Sequence, residues 1–401
     1  MKKYTPMAFM PKSRIRVLII EKRFNFKPKS EVMKIPKLIY LLFLCSFVLH
    51  QNCQNTPPRV SANNPVMMAE NMTENFAPPP SLLSIDSESF KMRGLSFVAP
   101  PKPFSKTPMM DVKAVAADWI AVIPYGFTRP GEATVHYGTA GWKWWGEGMV
   151  GVKTTIDSAH RAGIHVMLKP QVYVPGGWTG ALDYATDEEW TKWEQAYENY
   201  LMPFVDIAET MKVGMVCVGT EFKMGVVKRE TFWRNLIKKV RLKYHGKLVY
   251  AANWDEYPLV PFWDALDYIG VNAYFPLVQK ETPSVSDLQM AWKPYFETLQ
   301  AFQKKCNKPM LFTEFGYLSV DGCAFNSWEI EKRIHSVKIN EEAQANALDG
   351  LFSTFWKEPW WAGGFLWKWF PEGQGHEGYI DKDYTPQGKK AEIILKKWYG
   401  K

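Results

Sequence analysis

The chain has 401 residues, 46% of them apolar and 22% charged, enough to bury a sizeable core as one large domain or two ordinary ones. Its formal net charge of +8 is local: twelve of the 49 Lys and Arg, but only Glu21 and Glu31 of the 41 acids, fall in the first 60 residues. The rest is near neutral and carries no basic stripe, which disfavours nucleic acid as a partner.

From Met33 the sequence reads MKIPKLIYLLFLCSFVLHQNCQN: two lysines, an apolar run from Leu38 to Leu49, then polar residues. The run is too short for a comfortable membrane span and suits the core of a signal peptide, with Met33 as the start of translation. Export is therefore expected, to the periplasm, the outer membrane or the cell surface. Cys53 resembles the lipid-modified cysteine of a bacterial lipoprotein, although His50, Gln51 and Asn52 are not the usual small residues before it. Lipid attachment to a membrane and cleavage to a soluble form both stay open. Residues 54–92, rich in Asn, Pro and Ser, read as a linker. Beyond the leader, Cys217, Cys306 and Cys323 are odd in number and irregular in spacing, which is neither a disulfide framework nor a zinc pattern. Cys217 in MVCVG is expected as a small buried apolar residue.

From residue 93 to 401, short apolar runs alternate with amphipathic stretches. The runs are GLSFVA, WIAVIPY, HVMLKPQVYV, GMVCVGTEF, KLVYAANW, YIGVNAYF, PMLFTEFGY and GGFLWKWF. Between them, Trp190–Met211 and Thr231–Tyr244 have apolar residues at helical spacing. Eight strands alternating with helices predict one α/β domain, an eight-stranded βα barrel of the TIM type. An open doubly wound sheet is the alternative, but no G-x-G-x-x-G follows an early strand to mark a nucleotide site.

In such a barrel the active site lies at the C-terminal ends of the strands. Strand four ends in Thr220-Glu221-Phe222, strand five in Asn253-Trp254-Asp255, strand six in Asn272-Ala273-Tyr274, strand seven in Thr313-Glu314-Phe315 and strand eight in Trp367-Lys368-Trp369. Two Thr-Glu-Phe endings would bring two carboxylates to one mouth. Glycoside hydrolysis requires such a pair, one to protonate the departing oxygen and one to attack the anomeric carbon or activate water. The competing reading of each Glu is a strand-end residue paired with Lys or Arg.

These positions resemble clan A glycoside hydrolases, which retain anomeric configuration on a βα barrel. GTEF, FTEFGY, LKP-x-V and GGFLWKW together resemble glycoside hydrolase family 113, whose members are mainly β-1,4-mannanases. The resemblance implies that Glu221 is the acid/base, Glu314 the nucleophile and a β-linked glycan the substrate. A hydrogen bond from Tyr274 would keep Glu314 ionised. Trp367 would floor a sugar subsite, or pack in the core; Trp254 and Trp178 are weaker candidates for the same role. Asn253 would bond a sugar hydroxyl or cap a helix. Lys169, Gln171 and Tyr173 alternate on one strand face as candidate substrate contacts, but the family pattern has histidine and aspartate near the last two. Trp142, Trp144 and Trp145 in GWKWWGEG would line further subsites or plug the loop. No histidines stand at metal-ligand spacing, so no metal or other cofactor is expected, and the chain is read as a monomer. A glycan-binding lipoprotein without turnover is the alternative function.

Overall fold

In the computed structural model, the described residues are 76–80, 91–138, 144–371 and 380–401. Met33, the apolar run, Cys53 and Trp142 lie outside them. Eight parallel strands close a barrel: β1 (Met92–Phe97), β2 (Trp119–Val122), β4 (His165–Leu168), β6 (Met215–Thr220), β7 (Lys247–Asn253), β8 (Ile269–Asn272), β9 (Met310–Phe315) and β10 (Trp361–Trp369). Each pairs with the next in this order, and β10 closes on β1. All eight apolar runs of the sequence supply a barrel strand. Two are shorter than they read, because a proline has no N–H to donate to a ladder. Beyond Pro124 and Pro170 the chain resumes as β3 (Tyr125–Phe127) and β5 (Gln171–Tyr173), which pair with each other as a small sheet outside the barrel.

Alternation within the strands sorts side chains into two cores. Met92, Ala121, Met167, Cys217, Leu311 and Phe365 belong to the inner cluster that fills the barrel. The outer faces pack beneath helices α1 (Met109–Ala114), α2 (Met149–Arg161), α3 (Asp187–Thr210), α4 (Lys223–Lys228), α5 (Glu230–Lys243), α6 (Val285–Cys306), α7 (Ser327–Glu331), α8 (Glu341–Phe355) and α9 (Lys390–Tyr399), each of which adds buried residues to the outer cluster. Helix α3 starts where Thr186 accepts from the backbone N–H of Glu189 and the Glu189 carboxylate accepts in return from that of Thr186. Its buried Trp193, Tyr197, Tyr200 and Phe204 recur at three- and four-residue spacing and form an aromatic stripe against the fourth barrel strand. Helix α6 repeats the capping box with Ser284 and Asp287 and stops at Asn307, whose φ of +51° is left-handed. Cys217 is buried in the core. Ahead of the barrel, the Ala77 N–H donates to Asp157 Oδ1 at 2.7 Å, so part of the stretch read as linker lies against α2.

Candidate active site

Strict alternation along β6 and β9 would not aim both glutamates at the mouth. On β9, Val271 pairs with Phe312, yet the next residue, Asn272, pairs with Glu314. One extra residue is inserted there, as in a bulge, and this re-aims the side chain that follows. On β6 the register slips in the same way between Cys217 and Thr220. Glu221 then adopts φ +55°, a left-handed conformation that costs a non-glycine residue about 1–2 kcal/mol. Its N–H donates to Ala251 O at 2.8 Å, and Phe222 is anchored by its ring, 5.0 Å from both Trp193 and Tyr197. Thus the phenylalanine turns to the helices while the glutamate turns to the cleft.

The two carboxylates are held differently. Glu314 is buried and forms an ion pair with Lys169 through Oε1, and Lys169 is itself fully buried. Oε2 of Glu314 accepts from the Tyr274 hydroxyl at 3.0 Å. A cation and a phenol thus supply partners to both oxygens of this buried carboxylate. Among the described residues, Glu221 has no cation in contact. Its Oε2 accepts from Trp178 Nε1 and its Oε1 from Asn272 Nδ2, both at 2.8 Å. Desolvation, then the negative charge of Glu314, raise its pKa above the ordinary carboxylate value despite those two donors. Asn272 couples the two strands, since its Oδ1 accepts from Thr313 Oγ1 at 2.8 Å, next to Glu314. One group is thus paired with a cation and the other is biased toward its acid.

Beside Trp367 opens a cavity of 310 Å³, lined by the aromatic side chains of Phe97, Tyr125, Phe127, Trp144, Tyr173 and Trp367. Tyr173 is 52% exposed there, so β3 and β5 carry the aromatic lining beyond the barrel rim. The peptide between Trp367 and Lys368 is cis. Gly316 closes β9 because a Cβ at this position would lie 2.4 Å from the Trp367 carbonyl oxygen.

Of the residues named from sequence, Lys169 and Tyr274 both contact Glu314, Trp178 contacts Glu221, and Tyr173 and Trp367 line the adjoining cavity. Gln171 stands at the start of β5, with its Oε1 buried and, among the described residues, without a hydrogen-bond partner. Asn253 is occupied locally: its Oδ1 accepts from Trp254 N and its Nδ2 donates to Asp255. Trp254 stacks on Trp328 at 6.1 Å. Trp178, considered as a sugar platform, donates to Glu221 as well. Trp144 reaches the cavity, whereas Trp145 packs edge-on against Phe104 at 5.5 Å. The role of Asn272 escaped sequence reasoning although its place at a strand end was visible. Only the tertiary structure shows which carboxylate it meets.

A third carboxyl, Glu256, lies in the turn after β7 with no exposed surface. Burial pushes it up to about 8, with the charges of Glu221 and Asp255 adding to the shift. Between about pH 4.5 and 8 the folded chain therefore keeps a proton that the unfolded chain releases. Stability should fall as pH rises through that window. Scanning calorimetry from pH 5 to 8 is expected to show Tm declining, with a shallower decline in Glu256→Gln. Identical slopes in the two proteins would refute the assignment.

A parallel barrel that presents one ion-paired and one acid-biased glutamate at its mouth has the pair of groups that a glycoside hydrolase acting on O-glycosyl bonds needs. A family model described as Glycoside Hydrolase Family 113 matches residues 102–389, and the chain belongs to that family. Among solved structures, a family 113 β-mannanase from Alicyclobacillus acidocaldarius, in complex with ManMIm, superposes with a TM-score of 0.66 at 25% identity, over 78% of this chain and 97% of that one. A family 113 β-1,4-mannanase solved as a complex gives 0.65 at 25% identity, over 78% and 99%. A Ruminococcus gnavus β-glucuronidase shares the fold at 15% identity, with a TM-score of 0.52 over 78% of this chain and 50% of that one. Comparison with curated protein sequences returned no match.

Proposed function

We propose that the chain is a retaining β-1,4-mannan hydrolase working by double displacement. Glu314 attacks the anomeric carbon, and Glu221 protonates the leaving oxygen and then deprotonates the incoming water. The observation that carries this reading is the unequal support of the two carboxylates. A nucleophile must be ionised in the resting enzyme, and Glu314 has the Lys169 ammonium and the Tyr274 hydroxyl for that purpose. An acid must hold its proton at working pH, and Glu221 has burial and a neighbouring negative charge. Once the glycosyl-enzyme forms, the Glu314 charge is gone and the pKa of Glu221 drops, which converts the acid into the base the second step needs.

The choice of mannan is supported by family membership and by the two β-mannanases that superpose over nearly their full length. The aromatic cavity beside Trp367 suits the C–H faces of pyranose rings. Action outside the cytoplasm, with Cys53 as a lipid-attachment candidate, is proposed from the basic and apolar leader alone.

The test is hydrolysis of soluble β-1,4-mannan and manno-oligosaccharides, with the newly formed reducing end followed by proton NMR. The β-anomer is expected first, relaxing to the equilibrium mixture. Initial release of the α-anomer would overturn retention. Binding of mannan without turnover would favour the glycan-binding alternative.

A further inference from the structure

Glu256 is not part of the hydrolytic pair, yet it ends a buried chain of hydrogen bonds that leads to it. Its Oε2 accepts from Asn253 N at 3.0 Å and its Oε1 from the Tyr250 hydroxyl at 2.6 Å. Tyr250, on β7 and without exposed surface, accepts through the same hydroxyl oxygen from the N–H of Phe222 at 2.7 Å. The chain therefore ends on the peptide that directly follows Glu221.

That peptide needs holding. Glu221 is left-handed at φ +55°, and a backbone relaxing to the ordinary region would swing its carboxyl away from Asn272 and Trp178. Two hydrogen bonds oppose this, Glu221 N to Ala251 O and Phe222 N to Tyr250 Oη. Both acceptors belong to β7, so that strand grips the bend on each side of the Cα of Glu221. Glu256 supplies what the second bond requires. With the hydroxyl proton committed to the carboxyl, the phenolic oxygen presents a lone pair to Phe222; otherwise the hydroxyl is free to rotate and point its proton at that N–H. The Tyr250 ring cannot drift, being packed 5.5 Å from Trp233 and 5.6 Å from Phe262.

We propose that Tyr250 and Glu256 are positioning residues for the acid/base, fixing the peptide after Glu221 so that its carboxyl stays aimed at the glycosidic oxygen. This rests on the role given to Glu221 above. Neither residue touches substrate; their contribution runs through the backbone of another residue.

The experiment compares kcat/KM for phenyl and 2,4-dinitrophenyl β-mannobiosides, since kcat/KM reports the steps up to the glycosyl-enzyme. Phenolate leaves poorly and needs the acid, whereas dinitrophenolate does not. Tyr250→Phe keeps the ring and deletes the bridging oxygen. Its phenyl substrate should lose about 10–100-fold, a part of what general acid catalysis supplies, and its dinitrophenyl substrate far less. A loss in general folding would lower both alike, so equal losses, or none, overturn the proposal. Should Tyr250→Phe fail to fold, Glu256→Gln, which sets an amide N–H₂ against one of the two donors, is judged by the same ratio. Glu221→Gln serves as the reference. If it shows the selective loss and Tyr250→Phe does not, only the positioning role fails. If Glu221→Gln shows no selectivity, the two-glutamate reading fails and the positioning role falls with it.

Discussion

Glu314→Ala is expected to lose activity by several orders of magnitude on every substrate, because no covalent intermediate can form without the attacking carboxylate. Azide added to this variant can attack only from the face that Glu314 occupied, so rescue should yield the glycosyl azide of inverted configuration. Glu221→Ala should fail differently. Hydrolysis of natural mannan should fall by about 10²–10⁴-fold, the usual worth of a positioned acid/base. A dinitrophenyl glycoside should still form the intermediate, which then accumulates because no base activates water. Azide, needing no base, should speed its breakdown to the azide of retained configuration. The products are distinguished by NMR and the accumulated intermediate by intact-protein mass spectrometry. The opposite pairing of variants with products would reverse the roles, and full activity in both would place the chemistry elsewhere.

The second large effect is expected from Lys169→Met. The lysine is fully buried and ion-paired with Glu314, and removing one partner of a buried pair costs about 3–5 kcal/mol because the other charge is left uncompensated. A carboxylate that loses its close cation is more easily protonated. The sign on the pH–rate profile follows. The nucleophile must be deprotonated, so the acidic limb of kcat/KM should move to higher pH. Lys169 also lowers the pKa of Glu221, so its loss should carry the basic limb upward as well. Tm should drop in the same variant. A profile and a Tm both unchanged would show that the lysine does not hold the nucleophile's charge.

Much of this protein follows from its order of residues. Eight apolar runs separated by amphipathic stretches call for a parallel sheet with its faces covered, and the number eight allows the sheet to close. Two Thr-Glu-Phe endings stand out in sequence because a carboxylate closing an apolar strand is costly unless something uses it. Tyr274 was legible as a donor to Glu314, and its hydroxyl makes that bond; Lys169 was read only as a candidate substrate contact and not as the cation on the same carboxylate. The prolines that split the second and third runs were equally visible, yet the runs read as unbroken because apolar composition outweighed one missing donor in each.

What the tertiary structure alone decided is where those side chains point and what each one meets. Period-two alternation aims every second residue inward, and on that rule a one-residue slip reverses every side chain beyond it. Such slips occur just ahead of Glu221 and Glu314, and they depend on how β7 and β8 seat against their neighbours rather than on the local sequence. The left-handed bend at Glu221 is likewise imposed from outside, by Ala251 and Tyr250 on the next strand. The same holds for the unequal acidity of the two glutamates. Both sit in identical Thr-Glu-Phe triplets, so their immediate neighbours in sequence cannot tell them apart. A buried ammonium from the third barrel strand reaches one of them and an indole and an amide reach the other, and these contacts exist only once the barrel has closed.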